Sequence, residues 1–208
     1  MQKTLTVAIL AGLVGMTAAA RAQEAKEVRP QIGPRPYTVS LGLTAAGERS
    51  QRSISAGGFW LRGGTVDATL LARPGYGVKA AVNLGFSPRV VPGINVDTAT
   101  FLAGPVYDRP LGQLLGSQRA VFKPLHLFGE GLVGGVHGYN GVYPAAGGST
   151  TSANALAVQA GGGLNLDWKQ RGGLRLLQVD YVRTTLPNNG NNQQNNLRIG
   201  FGANIRLW

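Results

Sequence analysis

Large apolar residues occupy every second position along four stretches of the chain. Tyr37, Val39, Leu41 and Leu43 alternate with Thr38, Ser40, Gly42 and Thr44. Tyr76, Val78, Ala80, Val82, Leu84 and Phe86 alternate with Gly77, Lys79, Ala81, Asn83 and Gly85. Leu156, Val158, Ala160, Leu164, Leu166 and Trp168 follow the same rhythm, with Gly162 as the gap, as do Leu197, Ile199, Phe201, Ala203, Ile205 and Leu207. Period two predicts strands with two unlike faces. Residues 64–72, 98–107, 125–137 and 174–185 alternate less cleanly and bring the expected total to eight strands.

The two faces differ in bulk as well as polarity. One carries Gly, Ala, Ser, Thr and isolated charges; the other carries the large residues. A soluble sandwich or barrel with two-faced strands puts its large residues inside, because its outside meets water. Small polar side chains inside and bulky apolar ones outside is the inverse arrangement, the one that lipid requires. The connections agree. Pro74-Gly75 and Gln170-Arg171-Gly172 read as tight turns. Residues 47–58, 87–95, 138–152 and 187–195 are longer and rich in polar or turn-forming residues. Short periplasmic turns and long extracellular loops are the asymmetry of outer-membrane barrels. Residues 109–123 depart from it, as a long turn at the short-turn end. The predicted fold is all-β: an eight-stranded antiparallel up-and-down transmembrane β-barrel over residues 37–208.

The first residues call for a different reading. Lys3 is followed by an apolar stretch from Leu5 to Ala19 and by Ala20-Arg21-Ala22, a small-x-small cleavage pattern. Residues 1–22 are expected to be a signal peptide, since the stretch is short for a membrane span. Residues 23–36, with Pro30, Pro34 and Pro36, read as a flexible periplasmic tail. The charged fraction is 14%, against about 25% in ordinary soluble domains. Beyond the leader no stretch is apolar enough for a membrane helix, which leaves strands as the means of crossing. The formal net charge of +11 would suggest nucleic acid in a cytosolic protein. In an exported chain it suits anionic headgroups instead, and no nucleic-acid partner is expected. Absence of cysteine excludes disulfides and thiolate metal sites.

Trp60, Tyr76, Phe86, Tyr107, Trp168, Tyr181 and Trp208 fall mostly near predicted strand ends on the outward face, where aromatic rings sit at headgroup level. With strands and turns placed, the chain resembles the OmpA-like outer-membrane β-barrel superfamily, most densely from Asp97 onward. Phe101-Leu-Ala-Gly-Pro105 looks like that family's fourth strand, Leu127-Phe-Gly-Glu-Gly-Leu-Val-Gly-Gly-Val-His137 its fifth, and Ala157-Val-Gln-Ala-Gly-Gly-Gly163 its sixth. Leu176-Leu-Gln-Val-Asp-Tyr-Val-Arg-Thr184 with Gln194-Asn-Asn-Leu-Arg-Ile-Gly200 looks like its closing hairpin. The resemblance is to small members without a peptidoglycan-binding domain. It implies outer-membrane localisation, insertion by the barrel-assembly machinery, and contact with outer-membrane lipid and lipopolysaccharide. Members usually end on an aromatic; here Leu207, not Trp208, falls on the outward parity.

Alternation places Asp67, Lys79, Glu130, Asp167, Asp180, Arg198 and Arg206 on the inward face. Charges in a narrow lumen must pair, because an unpaired buried charge is costly. Glu130 with Arg198 or Lys79, and Asp180 with Arg198, are the expected pairs. Eight strands leave room only for side chains, so these ions are expected to plug the bore rather than line an open pore. A narrow, gated path for small solutes is the alternative. Enzymes of similar size that modify lipid A need a nucleophile, a His and an acid together. Of the two histidines, His126 falls at the periplasmic end, and His137 lies beside a loop with Ser149 and Ser152 but no suitably spaced acid. No catalytic, cofactor or metal site is expected, and no nucleotide loop is present. A structural role, or surface interaction through residues 138–152 and 187–195, by a monomer, is the expected function.

Overall fold

Strand formation follows from the alternating β-branched and large residues, and closure from the number and length of the strands. A computed structural model describes residues 37–50, 58–72, 75–92, 94–117, 119–145, 147–169, 171–188 and 192–207. The expected signal peptide, the proline-containing tail and Trp208 lie outside the described residues. In chain order the elements are β1 (Tyr37–Ser50), β2 (Phe59–Ala72), β3 (Tyr76–Val91), β4 (Ile94–Pro110), α1 (Leu111–Leu114), β5 (Leu125–Tyr139), β6 (Tyr143–Ala145), β7 (Gly148–Thr150), β8 (Ala153–Lys169), β9 (Gly172–Thr184) and β10 (Gln194–Arg206). A 3-10 turn, Ala120–Phe122, precedes β5. Eight strands close in the order β1-β10-β9-β8-β5-β4-β3-β2, each antiparallel to its neighbours. Closure is made by β1 and β10, whose register runs from Ser40 opposite Arg206 to Arg49 opposite Leu197.

The barrel is inverted relative to a soluble protein. Leu43, Val66, Leu84, Phe101, Val133, Leu156, Ile199 and Phe201 stand exposed on its outside, while Asp67, Lys79, Glu130, Asp180 and Arg198 are buried within. Only lipid makes such an exterior favourable. Among the described residues no helix is long and apolar enough to cross a membrane; the strands are the spanning elements.

The interior is less uniformly polar than the alternation predicts. Leu102 and Val106 of β4, and Phe128, Leu132 and Val136 of β5, are buried in the lumen. These two strands carry apolar residues on both faces, and for that reason their alternation is weak in the sequence. Strand length is the second difference. The barrel strands run from 13 residues in β9 to 17 in β4 and β8, where about 9–11 suffice to cross a bilayer. The expected loop at 87–95 is mostly strand, since β3 runs on to Val91, which pairs with Ile94. The expected loop at 138–152 holds the β6–β7 hairpin, and β1 continues to Ser50. At the loop end Phe59, Leu61 and Val96 form a small buried cluster with Val90 against it, so the β-structure beyond the bilayer has its own apolar contacts.

Candidate functional site

The bore of the barrel is where the buried polar groups collect. Lys79 on β3 donates to Glu130 Oε2 on β5 at 2.6 Å and lies 3.6 Å from Asp67 on β2. Arg175 on β9 grips the other side of Asp67, with Nη1 2.8 Å from Oδ2 and Nη2 3.4 Å from Oδ1. The same Nη1 donates to Thr44 Oγ1 at 2.9 Å and to Gln178 Oε1 at 3.0 Å. Gln178 Nε2 donates to Asp180 Oδ2 at 2.8 Å and to Glu130 Oε1 at 3.3 Å.

From Glu130 the network continues across the bore through uncharged groups. Gln159 Nε2 donates to Glu130 Oε1 at 2.7 Å, Asn83 Nδ2 to Gln159 Oε1 at 3.1 Å, and Thr65 Oγ1 to Asn83 Oδ1 at 2.8 Å. Arg198 Nη2 donates to Thr65 Oγ1. Seven strands contribute to this connected set; β4 instead offers Leu102 and Val106. The amide side chains matter because each turns one carboxylate's capacity into a further link, and buried polar groups are tolerated when every member has partners.

Below this layer the Phe128 ring faces two cations, with Lys79 Nζ 5.5 Å and the Arg175 guanidinium 5.1 Å from its centroid, a contact that desolvation strengthens. A second ionic group lies at the short-turn end. Arg206 Nη2 is 2.8 Å from both Asp167 oxygens. His126 sits with Nδ1 2.7 Å from Asp108 and Nε2 3.3 Å from Asp167. Between the two layers is a cavity of about 40 Å³ lined by groups including Ser40, Thr69, Asp108 and Asn165, room for a few water molecules. Above the network an apolar cluster packs beside further buried polar groups, Thr100, Thr184, Gln194 and Asn196. Tyr143 of β6 and Leu186, just after β9, are fully buried in a cluster with Leu102, Leu132, Val136 and Ala157.

All seven charges expected inside are placed inside the barrel: Asp67, Lys79, Glu130, Asp180 and Arg198 in the central layer, Asp167 and Arg206 in the lower one. Glu130 takes Lys79, one of its two expected partners, leaving Arg198 to Thr65; the pairing of Asp180 needs correction. Asp180 stands opposite Arg198 in the β9–β10 register, yet it accepts from Gln178. Arg198 donates instead to Thr65 of β2. Arg175 was absent from the expected set. Strict alternation from Asp180 puts it outside, but β9 bulges: Leu164 faces Leu177 while Asn165 faces Arg175. Both Leu176 and Leu177 point outward, and Arg175 is turned in. Two adjacent leucines between polar residues were the available signal. Tyr143 and Leu186 had none, because loop residues carry no face label.

On the outside, Tyr76, Tyr107 and Trp168 ring the short-turn end, with Tyr76 and Tyr107 at 4.7 Å between centroids. Trp60, Phe86 and Tyr181 ring the loop end; Trp168, at 69% exposure, projects furthest of the six. His137 Nδ1 lies 2.7 Å from the side-chain amide oxygen of Asn154 rather than from a carboxylate.

A closed eight-stranded antiparallel barrel with a polar interior, an apolar belt and aromatic rims is the fold of the small OmpA-like barrels of bacterial outer membranes, and that membrane is the one it is built for. No protein-family model and no curated protein sequence matches the chain. Among solved structures it is similar to Neisserial surface protein A, at 12% identity and TM-score 0.52, covering 84% of this chain and 98% of that one. The attachment invasion locus protein Ail of Yersinia pestis aligns at 18% identity and TM-score 0.48, over 82% of this chain and 97% of Ail. The N-terminal barrel domain of Pseudomonas aeruginosa OprF aligns at 13% identity and TM-score 0.43, over 81% and 97%.

Proposed function

We propose that this protein is an integral outer-membrane barrel whose lumen is closed, and that it serves a structural or surface-interaction role without catalysing a reaction. The observation that carries this reading is the polar network itself. It links side chains from seven strands across the bore, with an apolar layer of Tyr143 and Leu186 above it and the Phe128 ring below. Ions crossing such a bore would have to break several buried hydrogen bonds and ion pairs at once, and an eight-stranded barrel has little spare width around them.

The loops supply the surface that would meet a partner. The β6–β7 hairpin exposes Pro144, Ser149 and Thr150, and polar residues follow Leu186. With the long loops outward, outer-leaflet lipopolysaccharide and molecules beyond the cell would be the groups in reach, and the barrel-assembly machinery would insert the chain.

Planar-bilayer recording tests the closed lumen. Protein that shows the heat-dependent gel mobility of a folded barrel is expected to give no large, steady conductance. Steady porin-like steps from the same preparation would overturn the reading. The double substitution Glu130→Ala with Gln159→Ala, which cuts the network where it crosses from charged to amide members, is expected to produce small openings that the parent lacks. Surface interaction is separated from a purely structural role by deleting residues 144–149, the exposed tip of the hairpin beyond Tyr143: only a binding protein should lose cell-surface or matrix attachment while remaining folded.

A further inference from the structure

The link between β4 and β5 is unlike the other two at its end of the barrel, which are tight turns. It runs through α1 and the 3-10 turn, and the protein leaves three of its large apolar side chains uncovered: Leu114 at 45%, Leu115 at 59% and Val121 at 65% exposure. Between Arg109 and Lys123 there is no acidic residue, and Arg119 adds a third cation. Arg119 and Lys123 are exposed. The segment hangs directly from the aromatic rim. Arg109 packs its guanidinium 5.7 Å from the Tyr107 ring and reaches Gln113 of α1 at 3.4 Å. Arg109 also stands opposite Leu127, an exposed residue of the outward face of β5. Apolar exposure therefore continues from the lipid belt, past the girdle, into this turn.

Such a cluster has a poor place in water. Leucine and valine beside lysine and arginine at the level of the headgroups is the composition of an interfacial anchor. We infer that residues 111–123 lie in the headgroup layer of the leaflet at the short-turn end, with Leu114, Leu115 and Val121 reaching the acyl-chain boundary and Arg119 and Lys123 on the phosphates of anionic phospholipid. The turn would then fix the depth and tilt of the β4–β5 side of the barrel, a role the tight turns cannot take. The inference rests on the barrel lying in a membrane and is independent of whether the lumen conducts.

Because the chain has no cysteine, single substitutions Leu115→Cys and Val121→Cys can carry an environment-sensitive fluorophore. The whole barrel would be folded into vesicles of phosphatidylcholine, with and without phosphatidylglycerol, containing lipids brominated near the headgroup end of the chain. Val133→Cys in the belt and Ser149→Cys on the loop hairpin are the references. Emission from positions 115 and 121 is expected to shift to the blue and to be quenched as at 133, while 149 stays unquenched. Arg119→Gln with Lys123→Gln should weaken quenching in the phosphatidylglycerol vesicles, each cation being worth about fivefold in partitioning to an anionic surface. Water-like, unquenched emission at 115 and 121 with 133 still quenched would overturn the anchor alone. Shielding that rises with protein density in the membrane and ignores brominated lipid would assign the patch to a second copy instead. An unquenched 133 would overturn the embedding of the barrel as well.

Discussion

Gly42 faces Asp67 across the β1–β2 pair, and Gly161 faces Asp180 across β8–β9. A Cβ on Gly42 would fall 2.5 Å from Asp67 Oδ2, and one on Gly161 would meet Asp180 Oδ1. The glycines leave space in which the carboxylates can lie flat against the wall and meet their partners. A flexible side chain could step aside, but Asp67 is held by Arg175 and Lys79 together. Gly42→Ala is therefore expected to lower stability by about 1–3 kcal/mol, the usual cost of overpacking a filled interior, measured by urea unfolding from lipid vesicles. Glu130 is the more exposed point in energetic terms, since it accepts from Lys79, Gln159 and Gln178. Glu130→Ala should cost about 3–5 kcal/mol, as removal of one partner leaves a buried ammonium underpaired. Adding Lys79→Met should recover part of that loss. A double mutant no more stable than Glu130→Ala alone would mean that the two do not act as a pair. At this scale the sequence was informative where alternation was clean: Lys79, Arg198 and Arg206 sit on the polar parity of β3 and β10. It was uninformative about pairing, because a bore brings together residues from strands that are not neighbours, as Arg198 and Thr65 are.

β9 carries the clearest case of an element that pattern alone misplaces. Its bulge lets Leu176 and Leu177 both face lipid and turns Arg175 into the lumen, one residue out of step with the alternation that fits Gln178 and Asp180. Deleting Leu176 should remove the bulge and still leave Arg175 on the inward parity with Gln178 and Asp180. The folded, fast-migrating gel band is therefore expected to persist in that variant, whereas Arg175→Ala, which takes away the bidentate partner of Asp67, should cost about 3–5 kcal/mol. Loss of the folded band on deleting Leu176 alone would show that the bulge itself is needed. Elsewhere the legible strands were those with one polar face, β1, β3, β8 and β10. β4 and β5 were blurred because Leu102, Val106, Phe128 and Leu132 are apolar and inward, which a two-state reading of apolar as outward cannot accommodate. The loop-end extension of β3 reads as a loop in the sequence, since Pro88, Pro92 and Gly93 are turn-forming residue types, yet Val91 still pairs with Ile94.

For the whole molecule the governing fact is the inverted distribution of bulk. Large side chains cover the outside of a closed barrel, and ionic and amide groups fill its middle, so the outer surface suits lipid and the polar one is kept from it. This explains how a chain with 14% charged residues, and among its described residues no helix long and apolar enough to cross a membrane, can be a membrane protein, and why the fold is readable from period two alone while the apolar lid of Tyr143 and Leu186 is not. The most direct test is solution NMR of the barrel in lipid nanodiscs, observing nuclear Overhauser effects between protein methyls and lipid acyl chains. Leu43, Leu84, Val133, Leu156 and Ile199 are expected to show contacts to acyl methylenes, and Leu61, Leu102 and Leu132 none. Acyl contacts at Leu102 and Leu132, with water contacts at Leu84 and Val133, would contradict the account.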